Sequence, residues 1–279
     1  MLIIVLFVNL LSTSGQVFNP GFAKYLYSKG SYHDILIMEK MDRTGLDLSQ
    51  LDSMNYYTGL SYYNLQRLDE AVDRFKRIQK GTAIYNPSMF FAGWTEMYLG
   101  YPEKAAELLE GIRPSISDES ELLQMFNVGC ALMNRNSHEA GLLLEKAEKQ
   151  ERRYLPQWER MQSHNSRLNN FKPRSYAMAG VLSCIVPGSG KIYAGQKGAG
   201  VSSFLTLAAI GAILLENGIK TGWNSWNTIT AAGVFGVFYL GNIYGSIVGI
   251  KIYREKFYDE LNRAVLLDIN IPLRNIYLQ

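Results

Sequence analysis

"NYYTGLSYYNLQRLDEAVDRFKRI", residues 55–78, sets the fold of the first half of the chain. Gly59, Tyr62, Ala71 and Phe75 follow the spacing G-x2-Y-x8-A-x3-F. Two small residues placed this way let the two helices of a hairpin approach closely, and the large residues fill the space beside them. A shift of 34 residues maps Gly59 onto Gly93, Ala71 onto Ala105 and Phe75 onto Leu109. Tyr62 maps onto Glu96, which breaks the pattern, although Tyr98 is near. A degenerate third copy runs through Gly129 and Leu132 to Leu144, and "FAKYLYSKGSYHDILIMEKM" before the first copy has the helical period alone.

This spacing resembles the tetratricopeptide (TPR) repeat. The resemblance implies stacked helical hairpins with a concave groove that binds a peptide or another protein. Residues 16–150 are expected to form this TPR-like domain, with Tyr56, Tyr57, Tyr62 and Tyr63 either lining the groove or packing between helices. For Tyr62, packing between helices is the expectation.

The bulk numbers point to a soluble part joined to a membrane part. Charged residues make up 19% of the 279, below the usual quarter of a soluble domain. Mean hydropathy is nevertheless only −0.07, too low for a chain made of membrane helices throughout. Residues 16–150 carry 14 Lys+Arg against 18 Asp+Glu, whereas 151–279 carry 14 against 7. The acidic half favours a basic or polar partner. The basic half flanks apolar runs, which favours anionic lipid headgroups over nucleic acid.

Residues 2–11 are apolar except Asn9, and small residues follow to Gly15. Residues 1–15 therefore read as a secretory signal, too short for a comfortable span of about 20 residues. Residues 151–174 form a basic amphipathic connector with Arg152, Arg153, Arg160, Arg167, Lys172 and Arg174, interleaved with Trp158 and Phe171. It is expected either to lie at the headgroups or to cap the repeat array.

Residues 175–250 read as the membrane domain. Residues 198–218 and 226–250 are expected transmembrane helices, with Trp223 and Trp226 as interface anchors. Residues 175–186 stop at Pro187 and read as a short re-entrant or interfacial helix. Gly241, Gly245 and Gly249 recur every fourth residue, a smooth face for close helix packing. Gly200, Ala208, Ala209 and Ala212 are the expected partner face, and a second chain is the alternative. Residues 251–279 are expected to be an amphipathic C-terminal helix, lying on the membrane or on the repeat half, with an extended tail around Pro272.

"IVPGSGKIYAGQKGAG", residues 185–200, imitates a phosphate loop. Ile185 stands where G-x4-G-K-[ST] needs its first glycine, and Ile192 where it needs a hydroxyl. No nucleotide is expected there. Pro187, Gly188, Gly190, Tyr193 and Gly195 read instead as a structural turn motif. With its small-residue surroundings the stretch resembles the P-G-x-G-x-x-Y-x-G motif of two-helix membrane domains in bacterial envelope proteins, several of which carry TPR hairpins. That resemblance implies a membrane hairpin without an established activity.

No spacing of acid, base, nucleophile or metal ligand appears, so no catalytic residue, cofactor or metal is expected. His33, His138 and His164 read as surface or structural histidines, and Cys130 and Cys184 as unpaired. The fold class expected is all-α: a TPR-like array followed by a transmembrane hairpin. The function expected is a membrane-anchored adaptor that binds a protein through the repeats. The alternative is an accessory subunit of an envelope transport or insertion complex that packs through the glycine face. The signal places the repeats outside the cytoplasm of a bacterial inner membrane. The excess of Lys and Arg flanking the hairpin argues for the opposite orientation.

Overall fold

The computed structural model describes residues 18–40, 45–148 and 152–278. The expected secretory signal, 1–15, lies outside them. All regular structure among the described residues is α-helical. The chain divides into two compact units. The first takes the chain up to Asn169 together with Ala264 onward, and the second is Asn170–Arg263.

The first unit begins with α1 (Pro20–Ser28), α2 (Tyr32–Met38), α3 (Leu48–Asn64) and α4 (Leu68–Lys76). It continues with α5 (Tyr85–Tyr98), α6 (Pro102–Leu109), α7 (Ser117–Met133), α8 (Ser137–Glu148) and α9 (Leu155–Asn170). From α3 to α8 each helix packs on the next. Local chemistry sets the ends. Asn19 accepts from Phe22 N at 3.2 Å, with Pro20 in the first turn of α1. Asp47 and Gln50 form a reciprocal capping box at α3, at 2.7 and 3.0 Å.

The short turns between paired helices repeat one backbone device. Gln66, Gly100 and Arg135 all take positive φ, at 60°, 89° and 63°. In each turn the next amide reaches back around the helix end: Arg67 N to Tyr62 O, Tyr101 N to Glu96 O, and Asn136 N to Ala131 O. These are helix-terminating turns with a left-handed residue, spaced 34 and 35 positions apart. Glycine occupies only the middle one, so residue type alone does not mark these three similar turns.

The small-to-large pairing is steric. A Cβ on Gly59 would sit 2.7 Å from the Phe75 ring, and one on Gly93 3.4 Å from Leu109. Ala71, Phe75 and Ala105 are fully buried. Burying a side chain of Phe size contributes about 1.5–3 kcal/mol, so a bulkier residue at 59 loses that contact and forces the helices apart.

The second unit contains α10 (Tyr176–Ile185), α11 (Ser189–Tyr193), α12 (Lys197–Thr221) and the first part of α13 (Trp226–Tyr277). Helices α12 and α13 are long and apolar enough to cross a membrane. Their apolar side chains face outward: Leu205, Ile213, Ile219, Val237 and Leu240 are all exposed. Trp223 and Trp226 are also exposed, at the turn between the two helices.

The tail corrects an expectation. Residues 264–277 are helical rather than extended, and Pro272 lies inside α13. A proline there removes one backbone bond. The helix continues because Val265, Ile269, Pro272 and Leu273 are buried in the first unit. The connector 151–174 is likewise divided, with its residues up to Asn169 in the first unit and those from Asn170 in the second.

Candidate functional site

The first helices of three successive pairs, α3, α5 and α7, present one face, and residues 264–277 lie on it. Trp94 donates its indole N–H to the Leu266 carbonyl at 3.0 Å, and Tyr63 bonds Asn270 at 3.4 Å. Tyr277 packs its ring, tilted, beside Phe90 and Phe91 and donates to Glu119 at 2.8 Å. Gly129 supplies the close approach: a Cβ there would lie 2.5 Å from Ile269 Cδ1, 3.1 Å from Met97 Cε and 3.2 Å from Val265 Cγ1. The first two repeat glycines face their own pair's second helix. The third faces the returning C-terminal segment.

Two buried carboxylates fix that segment and α9. Asp268 is 2% exposed; it accepts from Arg160 Nε at 2.5 Å and pairs with His164 Nε2 at 2.9 Å. Glu121 accepts from Arg153 N, Tyr154 N and Trp158 Nε1, at 3.0, 3.0 and 2.8 Å. Trp158 is fully buried. The aromatic that the headgroup alternative would place at a membrane surface therefore lies inside the first unit. Phe171 falls in the second unit and stacks on Phe257 at 3.7 Å.

The expected groove tyrosines separate. Tyr63 meets the C-terminal segment, as above. Tyr62 bonds Glu39 at 3.1 Å with the Arg67 guanidinium over its ring, so it packs between helices. Tyr56 packs beside Phe75, and Tyr57 beside Tyr27. Burial raises the phenol of Tyr63 to about 12. It also raises that of Tyr277, where the bond to Glu119 adds to the effect. The Cys130 thiol is pushed up by burial to about 12, so it stays protonated and unreactive near neutrality.

An open cleft of about 1330 Å³ remains on the first unit, where α5 begins and α6 runs into α7. Lys80, Asn86, Glu107, Glu110 and Arg113 are among its walls. Both signs of charge are present, with apolar Met89 and Leu108 between them. Such a surface suits an extended or helical polypeptide better than a single small ion.

In the second unit the turn motif is packed backbone to backbone. Gly188 has φ of 85°, and a Cβ there would lie 2.1 Å from the Gly200 carbonyl. A Cβ on Gly190 would lie 2.0 Å from the Ala179 carbonyl and 2.3 Å from Ser183 Oγ. Ser183 Oγ also bonds Ser246 at 2.6 Å and accepts from Gly190 N at 3.1 Å. Ser189 Oγ lies 2.6 Å from Leu182 O and 2.7 Å from Val186 O, sharing its one hydrogen between these two acceptors and closing the turn around Pro187. Tyr193 O accepts from Arg174, and Gly195, at φ of 90°, ends α11.

The glycine face of α13 meets α11 and its flanks rather than α12. The Lys191 stem lies over Gly245, Ala194 and Gln196 lie over Gly249, and Gly241 is open. Gly200 is taken up by Ile192 and Gly188, and Ala208, Ala209 and Ala212 are exposed. The short α11 occupies the approach expected of α12.

Sequence reasoning missed Asp268, Glu119 and Glu121. Each is a carboxylate set among buried apolar positions of a helix, and Asp268 interrupts the stripe Val265, Leu266, Ile269, Leu273. That interruption was the available signal. His33 and His138 are exposed, and His164 is buried against Asp268. Among the described residues no cluster of three or more His, Cys, Asp or Glu has a metal-holding arrangement. Comparison with known protein families, with curated proteins and with solved structures gives no match.

Proposed function

We propose that the protein is a membrane-anchored adaptor: a TPR-like module tethered to a bacterial inner membrane by a two-helix hairpin, recruiting a protein partner and doing no chemistry itself. The observation that carries this reading is the seating of residues 264–277 on α3, α5 and α7. A helix held by Trp94 and Tyr63 and packed closely over Gly129 is what a protein-binding repeat face is built to hold. Here that face is filled by the protein's own chain, so the partner docks at the open cleft around Lys80, Asn86 and Arg113. Neither cofactor nor nucleic acid enters this reading. The repeats lie outside the cytoplasm.

A second reading rests on the exposed Ala208, Ala209, Ala212 and Gly241. Small residues left open on membrane helices favour close packing of another membrane helix, as in a transport or insertion assembly or an oligomer.

Photo-cross-linkers at Lys80 and Arg113, and separately at Ala208 and Ala212, decide between them in intact membranes. The adaptor gives a discrete heterologous adduct from 80 and 113. Adducts from 208 and 212 alone move the function to the hairpin. A cysteine placed at 80 in a Cys184→Ser background reacts with an impermeant thiol reagent in spheroplasts. Labelling only after lysis reverses the orientation.

A further inference from the structure

An outward-open groove runs between α12 and α13 beside α11. One wall carries the hydroxyls of Ser202, Ser203 and Thr206, and the other carries Val237, Phe238 and Gly241. Lys191 reaches into it: its stem crosses Gly245 and its ammonium donates to Ser203 Oγ at 2.7 Å. An ammonium has three N–H donors. Among the described residues Ser203 is its one hydrogen-bond partner, and no carboxylate pairs with it. A charge set among membrane-spanning helices is costly without an opposite charge, and so marks a site for a partner.

The depth of that charge selects the partner. Lys197 opens α12, and Ser203 lies six residues further on. Gly245 lies six residues before Lys251 on α13. At 1.5 Å per residue, Lys191 is held about 9 Å inward of both flanking lysines. Headgroups lie level with those lysines, whose long stems snorkel to the interface. The groove therefore suits a group inside the bilayer. The chain itself offers no counter-charge at that level. Glu216 is the sole acidic residue between 170 and 250, and it pairs with Lys220 at 2.6 Å. It lies 13 residues beyond Ser203, about 20 Å along α12. A second copy inserted the same way puts its own Glu216 at that far level. Residues 1–15 contain no Asp or Glu.

We propose that this groove receives a transmembrane helix of another protein, one that carries an Asp or Glu about 9 Å inside the interface. The carboxylate pairs with Lys191, polar neighbours on that helix meet Ser202 and Thr206, and its backbone approaches over Gly241, where a Cβ would have nothing within 4 Å. This deepens the second reading above, the packing of another membrane helix on the hairpin, and is independent of the cleft on the first unit.

The test uses the full chain in phosphatidylcholine nanodiscs with a photo-cross-linker at Thr206, or at Ala212, about 120° away around α12. The probes are labelled leucine-rich transmembrane peptides of about 20 residues, carrying Asp, Leu or Lys about six residues from one end. The Asp peptide is expected to give roughly tenfold more adduct at 206 than the Leu peptide, the scale of one strong polar contact between membrane helices. Lys191→Met is expected to remove that preference, and Lys191→Glu to transfer it to the Lys peptide. Equal adducts from the Asp and Leu peptides, or an Asp preference that survives Lys191→Met, overturn the proposal. Adducts at 212 without a charge preference at 206 overturn it while leaving the second reading standing. Loss of the Asp preference in phosphatidylglycerol nanodiscs assigns Lys191 to lipid phosphate and also overturns it. If the Lys191 variants fail to assemble, Gly241→Leu decides: it projects into the open groove, so it should abolish the Asp adduct, and an undiminished adduct overturns the proposal.

Discussion

The seating of the C-terminal segment makes a quantitative prediction at Gly129 and Ile269. A methyl at 129 would lie 2.5 Å from Ile269 Cδ1, the tip of a fully buried side chain. Alanine in place of a helical glycine gains about 1 kcal/mol of propensity. Overpacking against that tip costs about 1–3 kcal/mol, so Gly129→Ala alone is neutral to destabilising. Ile269→Val removes the offending methyl and costs about 1 kcal/mol by itself. In the double variant the methyl at 129 fills the vacated space and the propensity gain is realised. The two changes therefore couple by about 1–2 kcal/mol, where unrelated sites add to within about 0.5 kcal/mol. Guanidinium unfolding of the four proteins in detergent, followed by the emission of Trp94 and Trp158, measures the cycle. Additive free energies would refute the contact and with it the docking of 264–277 on α7.

Three further outcomes follow from the same contacts. Glu121→Leu strands the Arg153 and Tyr154 amides and the Trp158 indole; it is expected to cost about 2–4 kcal/mol and to red-shift Trp158 emission, and an unchanged unfolding midpoint would count against the cluster. Gly190→Ala drives a methyl into the Ala179 carbonyl and should abolish monodisperse protein after detergent extraction, whereas Gly198→Ala, with nothing within 4 Å, should leave it intact. Stability should fall as pH rises above about 9, measured by the unfolding midpoint: Tyr63 and Cys130 are both pushed up to about 12 in the folded protein, so the unfolded chain releases those protons first and binds fewer. A midpoint that is flat from pH 8 to 12 would contradict their burial.

The legible parts of the fold were those in which one residue type answers a local steric demand. Gly59 beside Phe75 and Gly93 beside Leu109 encode the hairpins because only a small residue admits the facing side chain. The hairpin turns at Gln66 and Arg135 were not legible, because their left-handed backbone is held by the surrounding helix ends rather than by a glycine. The destination of 264–277 was half legible. Its apolar stripe announces a buried face but does not name the surface that buries it, and Pro272 argued for an extended tail that burial in the first unit overrides. The glycine face of α13 showed that something approaches closely. It could not show that the visitor is Lys191 and Ala194, since a five-residue helix leaves almost no periodicity to read. Asn242 is hardest of all, because a polar letter in an apolar run does not tell whether its amide finds a partner in the fold, and here it finds none.

Hydrogen–deuterium exchange of the full chain in lipid nanodiscs tests the central claim most directly. If residues 264–277 are held by α3, α5 and α7, their amides exchange as slowly as those of α5 and α7, and Gly129→Val speeds them selectively while α12 is unchanged. Exchange of 264–277 within seconds, beside a protected α5 and α7, would contradict the account.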